Sequence, residues 1–273
     1  MPEASVITPL YNGADRIADC IESVARQSLA DLEHIVIDNN STDDGPERVR
    51  DLQKTHPRLQ LLSESEIGPG PARNAGIRAA TSRYIAFLDA DDRWKPQKLE
   101  IQIDAMRRTG AVLSWTSYDV MKNGTFSRIQ AARQSVSHDD ILTKRATIGC
   151  LTAVYDSHVL GKLYMNSLPM RQDMCLWLDI LKMAETQKLA CIGVPVSLAV
   201  YNVHSNSLTA DKKKAARMQW AAYRQHVGLS RLQASRIFAG YAVRAIRDRI
   251  FSSTEPDSVE TAGQGAASPR NTP

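Results

Sequence analysis

The stretch Tyr84-Ile85-Ala86-Phe87-Leu88 followed by Asp89-Ala90-Asp91-Asp92 decides how this chain is read. Five apolar residues in a row suit a strand buried on both faces, as the inner strands of a parallel sheet are. The run then ends on three carboxylates within four residues. Negative charge gathered at the mouth of an apolar strand is costly in a low dielectric unless a cation or water offsets it. Hard Mg²⁺ or Mn²⁺ suits such oxygen ligands, keeping several waters and sharing substrate phosphates. The same triplet also suits a helix start, because Asp favours that position and Trp94-Lys95-Pro96 follows.

Outward from this stretch, short apolar runs alternate with helical periodicity, the pattern of βαβ units around a mainly parallel sheet. Ala4 to Thr8 reads as a strand that Pro9 stops, and Ile17, Ile21 and Val24 mark one face of a helix from Ala14 to Ser28. Leu32 to Asp38 is a β-branched strand, Asn39 to Gly45 a turn cluster, and Pro46 suits the first position of a helix. Leu59 to Leu62 reads as a third strand. Gly68-Pro69-Gly70-Pro71 breaks the chain before a helix from Ala72 to Ala80, and Trp94-Lys95-Pro96 opens another with Leu99, Ile103 and Met106 inward. Ala111 to Met121 and Thr125 to Gln130 flank Asn123-Gly124, a strong hairpin signal. A helix from Met174 to Ala184 and a strand from Ser197 to Tyr201 complete a more mixed second half.

The 273 residues, 43% of them hydrophobic, suffice for a full core. Cys20, Cys150, Cys175 and Cys191 lack paired spacing, which argues against a disulfide framework or a zinc site and for a reducing compartment. No apolar stretch approaches the roughly 20 residues of a membrane-spanning helix, and the chain reads as cytoplasmic. The net charge of +4 is concentrated in Lys212 to Ile250, where ten Lys or Arg stand against one acid. That pattern argues against nucleic acid held by the main domain. It favours either peripheral contact with an anionic membrane, through Ile237, Phe238, Tyr241 and Ala245 flanked by Arg236, Arg244, Arg247 and Arg249, or a helix packed on the domain. The tail from residue 251 has a disordered composition.

Ligands of open α/β sheets bind beyond the carboxyl ends of the strands. That rule selects Pro9-Leu10-Tyr11-Asn12, Asp38-Asn39-Asn40-Ser41, the turn from Gly68 to Asn74, and Asp89 to Asp92 as loops facing one crevice. Gly68 and Gly70 begin a dinucleotide fingerprint, but Arg73 stands where its third glycine belongs, so a nicotinamide enzyme is disfavoured. Arg73 instead offers a fork for a phosphate or a neighbouring carboxylate. In Arg171-Gln172-Asp173, Asp173 opens an apolar helix whose dipole favours its ionised form, as a base or as a plain cap.

Val6-Ile7-Thr8-Pro9-Leu10-Tyr11-Asn12, Ile21-Glu22-Ser23-Val24, Ile35-Val36-Ile37-Asp38 with Ser41-Thr42-Asp43, Ala72 to Ile77, and Tyr84 to Asp92 together resemble family 2 glycosyltransferases of the GT-A fold. Ile148 to Thr152, Arg171-Gln172-Asp173 and Tyr201 to Ser207 extend the resemblance toward the teichuronic-acid type, over roughly residues 4 to 225.

The resemblance implies an inverting transferase that takes a sugar from a nucleotide-sugar donor, a UDP-sugar, to a glycan or lipid-linked acceptor in cell-surface polysaccharide biosynthesis, with Mg²⁺ or Mn²⁺. Pro9, Tyr11, Asn12 and Asp38 would line the nucleotide pocket, and Arg73 would support it or the diphosphate. Asp89-Ala90-Asp91 would be the D-x-D motif, with Asp91 and His204 on the metal, Asp89 nearer the ribose and Asp92 left as a helix cap. Asp173 would be the general base. Gln172 and Cys175 depart from the family's usual carboxylates. The implied organisation is a GT-A domain over residues 1–211, with a nucleotide half to residue 110 and an acceptor half after it, a basic helical extension over 212–250, and a tail over 251–273. A non-catalytic sugar-binding module and a sugar nucleotidyltransferase are the competing readings. The latter requires a glycine-rich loop where Pro9 to Asn12 stand.

Overall fold

The computed structural model describes residues 1–203 and 212–240. In chain order the elements are β1 (Ala4–Leu10), α1 (Ile17–Ala25), β2 (Leu32–Asp38), α2 (Gly45–Gln53), β3 (Leu59–Ser63), α3 (Pro69–Ala79), β4 (Tyr84–Phe87), β5 (Arg93–Trp94) and α4 (Lys98–Thr109). There follow β6 (Ala111–Lys122), β7 (Thr125–Gln130), α5 (His138–Leu142), β8 (Val154–Asp156), α6 (Ser157–Leu160), α7 (Gln172–Gln187), β9 (Ala190–Val203) and α8 (Lys212–Ala221). The strands form a single sheet in the order β3-β2-β1-β4-β8-β6-β9-β5, with β7 paired to β6. β3, β2, β1 and β4 are parallel, while β8 runs against both β4 and β6. A mixed second half thus continues the parallel first half, as the GT-A expectation required.

Alternation along the inner strands divides the core between two faces. Val6, Val36 and Ala86 pack with Ile17, Cys20, Leu99 and Ile103 of α1 and α4. Ile7, Ile35, Ile85 and Phe87 pack with Ala72 and Ile77 of α3 and with Trp177 and Leu181 of α7. Helices therefore cover both faces. At Gly76 of α3 an added Cβ would overlap Ile7 Cγ2, so glycine is what lets this helix lie close against β1.

Several boundaries differ from the sequence expectation. Pro9 does not stop β1, which runs on to Leu10 with Pro9 opposite Ile37. β4 pairs with β1 only as far as Ile7, whose carbonyl accepts from Leu88 N, and alternation turns the Pro9 nitrogen toward this vacated side. The missing N–H therefore costs no ladder bond. Trp94 opens no helix, because Arg93 and Trp94 form β5 against Val200 and Ala199, and α4 begins at Lys98. α3 begins earlier than expected, with Pro69 at its start and Gly68 at φ 134 before it. The strand read as Ser197 to Tyr201 is the end of the long β9. The hairpin holds, with Asn123 and Gly124 at φ 49 and 78 as a tight right-twisting turn demands.

The described part of the basic segment packs on the domain. Tyr223 donates to the Leu142 carbonyl at 2.8 Å, and Ile237 and Phe238 lie against the core, Phe238 edge-on to Trp220. These two residues of the expected membrane stripe are thus turned toward protein. Tyr241, Arg244, Ala245, Arg247 and Arg249 lie outside the described residues, as does the tail. The four cysteines are free thiols, and no helix among the described residues is long and apolar enough to cross a membrane.

Two outcomes are expected. Gly76→Ala should lower the unfolding free energy by about 1–3 kcal/mol in urea titrations, through forced separation of α3 from β1. His34 on β2 is buried against Thr8 Oγ1 at 2.9 Å, and burial, with a smaller push from His56, holds its pKa down at about 3. The unfolded chain takes up this proton near pH 6.5 and the folded chain does not. Stability should therefore fall as pH drops from about 6.5 toward 3, by at most about 1.4 kcal/mol per pH unit from this group. His34→Gln should flatten that dependence in urea titrations across the window.

Candidate active site

The four loops expected to share a crevice are stitched together by named hydrogen bonds. Asn12, after β1 at φ 46, donates its backbone N–H to Ser41 Oγ at 3.2 Å, and its Oδ1 accepts from Thr42 N at 2.8 Å. Asp38 Oδ1 accepts from Ser41 N at 3.1 Å, closing the turn after β2. Buried Asn39 donates to the carbonyls of Glu64 and Glu66, and its Oδ1 accepts from Gly68 N at 2.7 Å. Pro9 is half-buried at the strand end, and Tyr11 is 63% exposed, a free ring at the rim.

α3 carries Arg73 to the acidic run. The guanidinium is buried and donates to Asp89 Oδ1. Burial opposes its charge, but Asp89, then Cys150 and Asp173, outweigh that and hold its pKa above the usual arginine value. Glycine and asparagine on the same helix join it to the second half. An added Cβ on Gly70 would come within 3.1 Å of the Asn166 carbonyl, and the Asn74 amide exchanges bonds of 2.7 and 2.8 Å with the backbone of Met165. The start of α7, with buried Gln172 and half-buried Asp173, is thereby brought beside α3.

The three carboxylates are not equivalent. Asp89 faces Arg73, and its backbone carbonyl lies 3.6 Å from the buried Cys20 thiol. Asp91 is half-buried beyond it, with Ala90 between them close to Gly13. Asp92 was expected to cap a helix and does not. It is 1% exposed, its Oδ1 accepts from Asn202 N at 2.8 Å, and its Oδ2 is buried without a hydrogen bond. The Asn202 amide in turn donates to the Asp91 carbonyl at 2.6 Å. Burial pushes the Asp92 carboxyl up, and Asp89 and Asp91 add to the shift. Burial likewise raises the Cys150 thiol, which also feels Arg73, Asp89, Asp173 and Asp92.

A divalent cation fits this donor set through its chemistry, since hard carboxylate oxygens crowd one loop and one buried oxygen lacks a partner. Among the described residues no three side chains form a complete metal cage, so phosphate oxygens and water would supply the remaining ligands. His204 lies outside the described residues. Lys144 escaped the sequence reading, and Arg171 and Asn202 lie in segments it singled out without receiving a role there. Lys144 and Arg171 take φ 58 and 72, and burial, with Arg171 adding, lowers the Lys144 pKa to about 8. Left-handed backbone at lysine or arginine has no local sequence signal.

A parallel half with an acidic run at its strand ends, joined to a mixed half carrying a carboxylate at a helix start, is the architecture that the GT-A resemblance implies. Residues 5–159 match Glycosyl transferase family 2. TuaG of Bacillus subtilis (strain 168), named as a teichuronic acid biosynthesis glycosyltransferase, is 36% identical over 91% of this chain and 98% of its own. WfgD of Escherichia coli, named as a UDP-Glc:alpha-D-GlcNAc-diphosphoundecaprenol beta-1,3-glucosyltransferase, is 33% identical over 79% of this chain and 83% of its own. The fold also matches S. aureus TarS 1-349 in complex with UDP-GlcNAc, at TM-score 0.64 and 18% identity over 93% of this chain and 76% of that one. Mannosyltransferase PcManGT from Pyrobaculum calidifontis, in complex with GDP-Man and Mn²⁺, matches at TM-score 0.63 and 18% identity over the same shares. The chain belongs to glycosyl transferase family 2 and is a glycosyltransferase.

Arg73→Leu should lower the unfolding free energy by about 2 kcal/mol, less than for a fully buried pair because the Asp89 side chain is 35% exposed. Asp89→Asn in the same chain should recover part of that loss in urea denaturation.

Proposed function

We propose that the enzyme transfers a sugar with inversion from a UDP-sugar to a lipid-linked saccharide in cell-surface polysaccharide biosynthesis, using Mg²⁺ or Mn²⁺. The observation that carries this reading is that α3 holds Arg73 on Asp89 at the end of β4 while Gly70 and Asn74 of the same helix lie against Gln172 and Met165, which brings the start of α7 and Asp173 alongside. It joins a diphosphate-binding group to a base drawn from the other half of the fold. The names of TuaG and WfgD support the pathway class, and that of WfgD supports a UDP-linked donor and a lipid-diphosphate acceptor.

Tyr11 and Asp38 would receive the nucleotide base, the ring offering a face and the carboxylate an acceptor. Arg73 holds the Asp89 carboxylate in one orientation, toward the ribose. Asp91 would hold the metal ion, with its backbone carbonyl pinned by Asn202. When bound, the ion supplies positive charge to the departing diphosphate. Asp173 takes the proton of the acceptor hydroxyl as its oxygen bonds to the anomeric carbon and the bond to the diphosphate breaks. One displacement inverts that carbon and needs no covalent enzyme intermediate. Positioning a base in this way contributes about 10²- to 10⁴-fold.

Asp91→Ala should abolish transfer and remove the Mn²⁺ dependence of UDP-sugar binding. Asp173→Asn should retain UDP-sugar binding, read by thermal shift, while UDP release in the presence of acceptor falls at least about 10²-fold. Wild-type turnover in Asp173→Asn would remove that residue from the mechanism.

A further inference from the structure

The hairpin of β6 and β7 has no part in the site, yet it stands beside it. β6 and β9 are parallel, with Met121 opposite Asn202 and Lys122 opposite Val203. The hairpin turn therefore begins level with the residue whose amide holds the acidic run. Among the described residues β7 pairs with β6 alone, leaving its outer edge uncovered.

The hairpin exposes two large apolar side chains, Phe126 at 55% and Ile129 at 56%. Three residues apart on a regular strand, they would point to opposite faces. The register shifts between Val120 and Met121, so that Arg128 pairs with Val120 and Phe126 with Met121. Ser127 is the extra residue of a bulge, which re-aims the strand by one position. Phe126 and Ile129 thus share one face with Met121 and with Asp119, whose carboxylate is neutralised by Lys95 at 2.8 Å, on the side of the sheet that Asn202 occupies. Lys122 and Arg128 project from the other face, exposed and without a carboxylate partner among the described residues. From Val120 to Ser137 the chain has no acidic residue.

We infer that this hairpin is a membrane-docking element that lays Phe126 and Ile129 into the interfacial layer of an anionic bilayer while Lys122 and Arg128 reach lipid phosphates. Charge selects this occupant. Pairing of β7 with β7 of a second copy would set unneutralised cations along one short interface, whereas an anionic surface complements them. Long basic side chains extend past an apolar face to reach headgroups. Docking here sets the open side of the acidic run toward the bilayer, which rests on the reading of the acceptor as lipid-linked. The basic segment after residue 212 is then not required for attachment.

The test is sedimentation of the full chain with vesicles of phosphatidylglycerol and phosphatidylcholine, against phosphatidylcholine alone. The wild type should bind only the anionic vesicles and release in high salt. Lys122→Gln with Arg128→Gln should weaken binding about thirtyfold, and Phe126→Ser with Ile129→Ser about tenfold or more. Both double variants should keep the wild-type thermal shift with UDP, which shows them folded. Absence of wild-type binding to anionic vesicles would overturn the inference. So would vesicle binding unchanged in both double variants, or a vesicle-free dimer that the Phe126 and Ile129 substitutions dissociate. UDP release with soluble acceptor is read in parallel. Its absence with vesicle binding intact counts against the proposed reaction and leaves the docking surface standing.

Discussion

The ion pair between the buried guanidinium of Arg73 and the partly exposed carboxylate of Asp89 is the constraint on which the rest of the site depends. A guanidinium removed from water is tolerated only beside opposite charge, so α3 must deliver Arg73 to the mouth of β4. Asp89 is thereby committed to a protein cation. Asp91, two residues further along the same loop, is half-buried with its backbone carbonyl held by Asn202.

α3 is the element that makes this delivery possible. Gly76 seats it against Ile7 of β1, Gly70 admits the Asn166 carbonyl, and Asn74 clasps the Met165 backbone. One helix thus registers the parallel half against the start of α7, where Asp173 stands. The packing that buries α3 also sets the separation between Asp89 and Asp173. Asn202 performs the matching task from β9, tying Asp91 and Asp92 to the last strand of the fold.

Much of this was legible in the chain. The uninterrupted apolar run before Asp89 announced an inner strand, the Asn123-Gly124 turn announced a hairpin, and the four crevice loops followed from the rule of strand ends. The errors share a cause. Proline ordinarily stops a strand by removing a ladder N–H, but beside Pro9 the neighbouring strand has already ended. Trp94 was read as a helix start because Pro96 follows it, but β9 captures Arg93 and Trp94 as a bridge. In both cases a distant strand determined what a local signal meant.

Asp92 shows where the boundary lies. The sequence alone determined that three carboxylates end a buried strand, that helices alternate with strands around them, and that Arg73 lies in a helix and Asp173 at the start of one. These properties follow from periodicity and composition over a few residues. Only the tertiary structure decided that Asp92 is a buried tie and not a helix cap. Its partner Asn202 is 110 residues away, and no local pattern encodes a hydrogen bond across that separation. Phe126 and Ile129 make the same point on the surface. Their residue types are visible in the chain, but their common face exists only because pairing with β6 introduces a bulge between them.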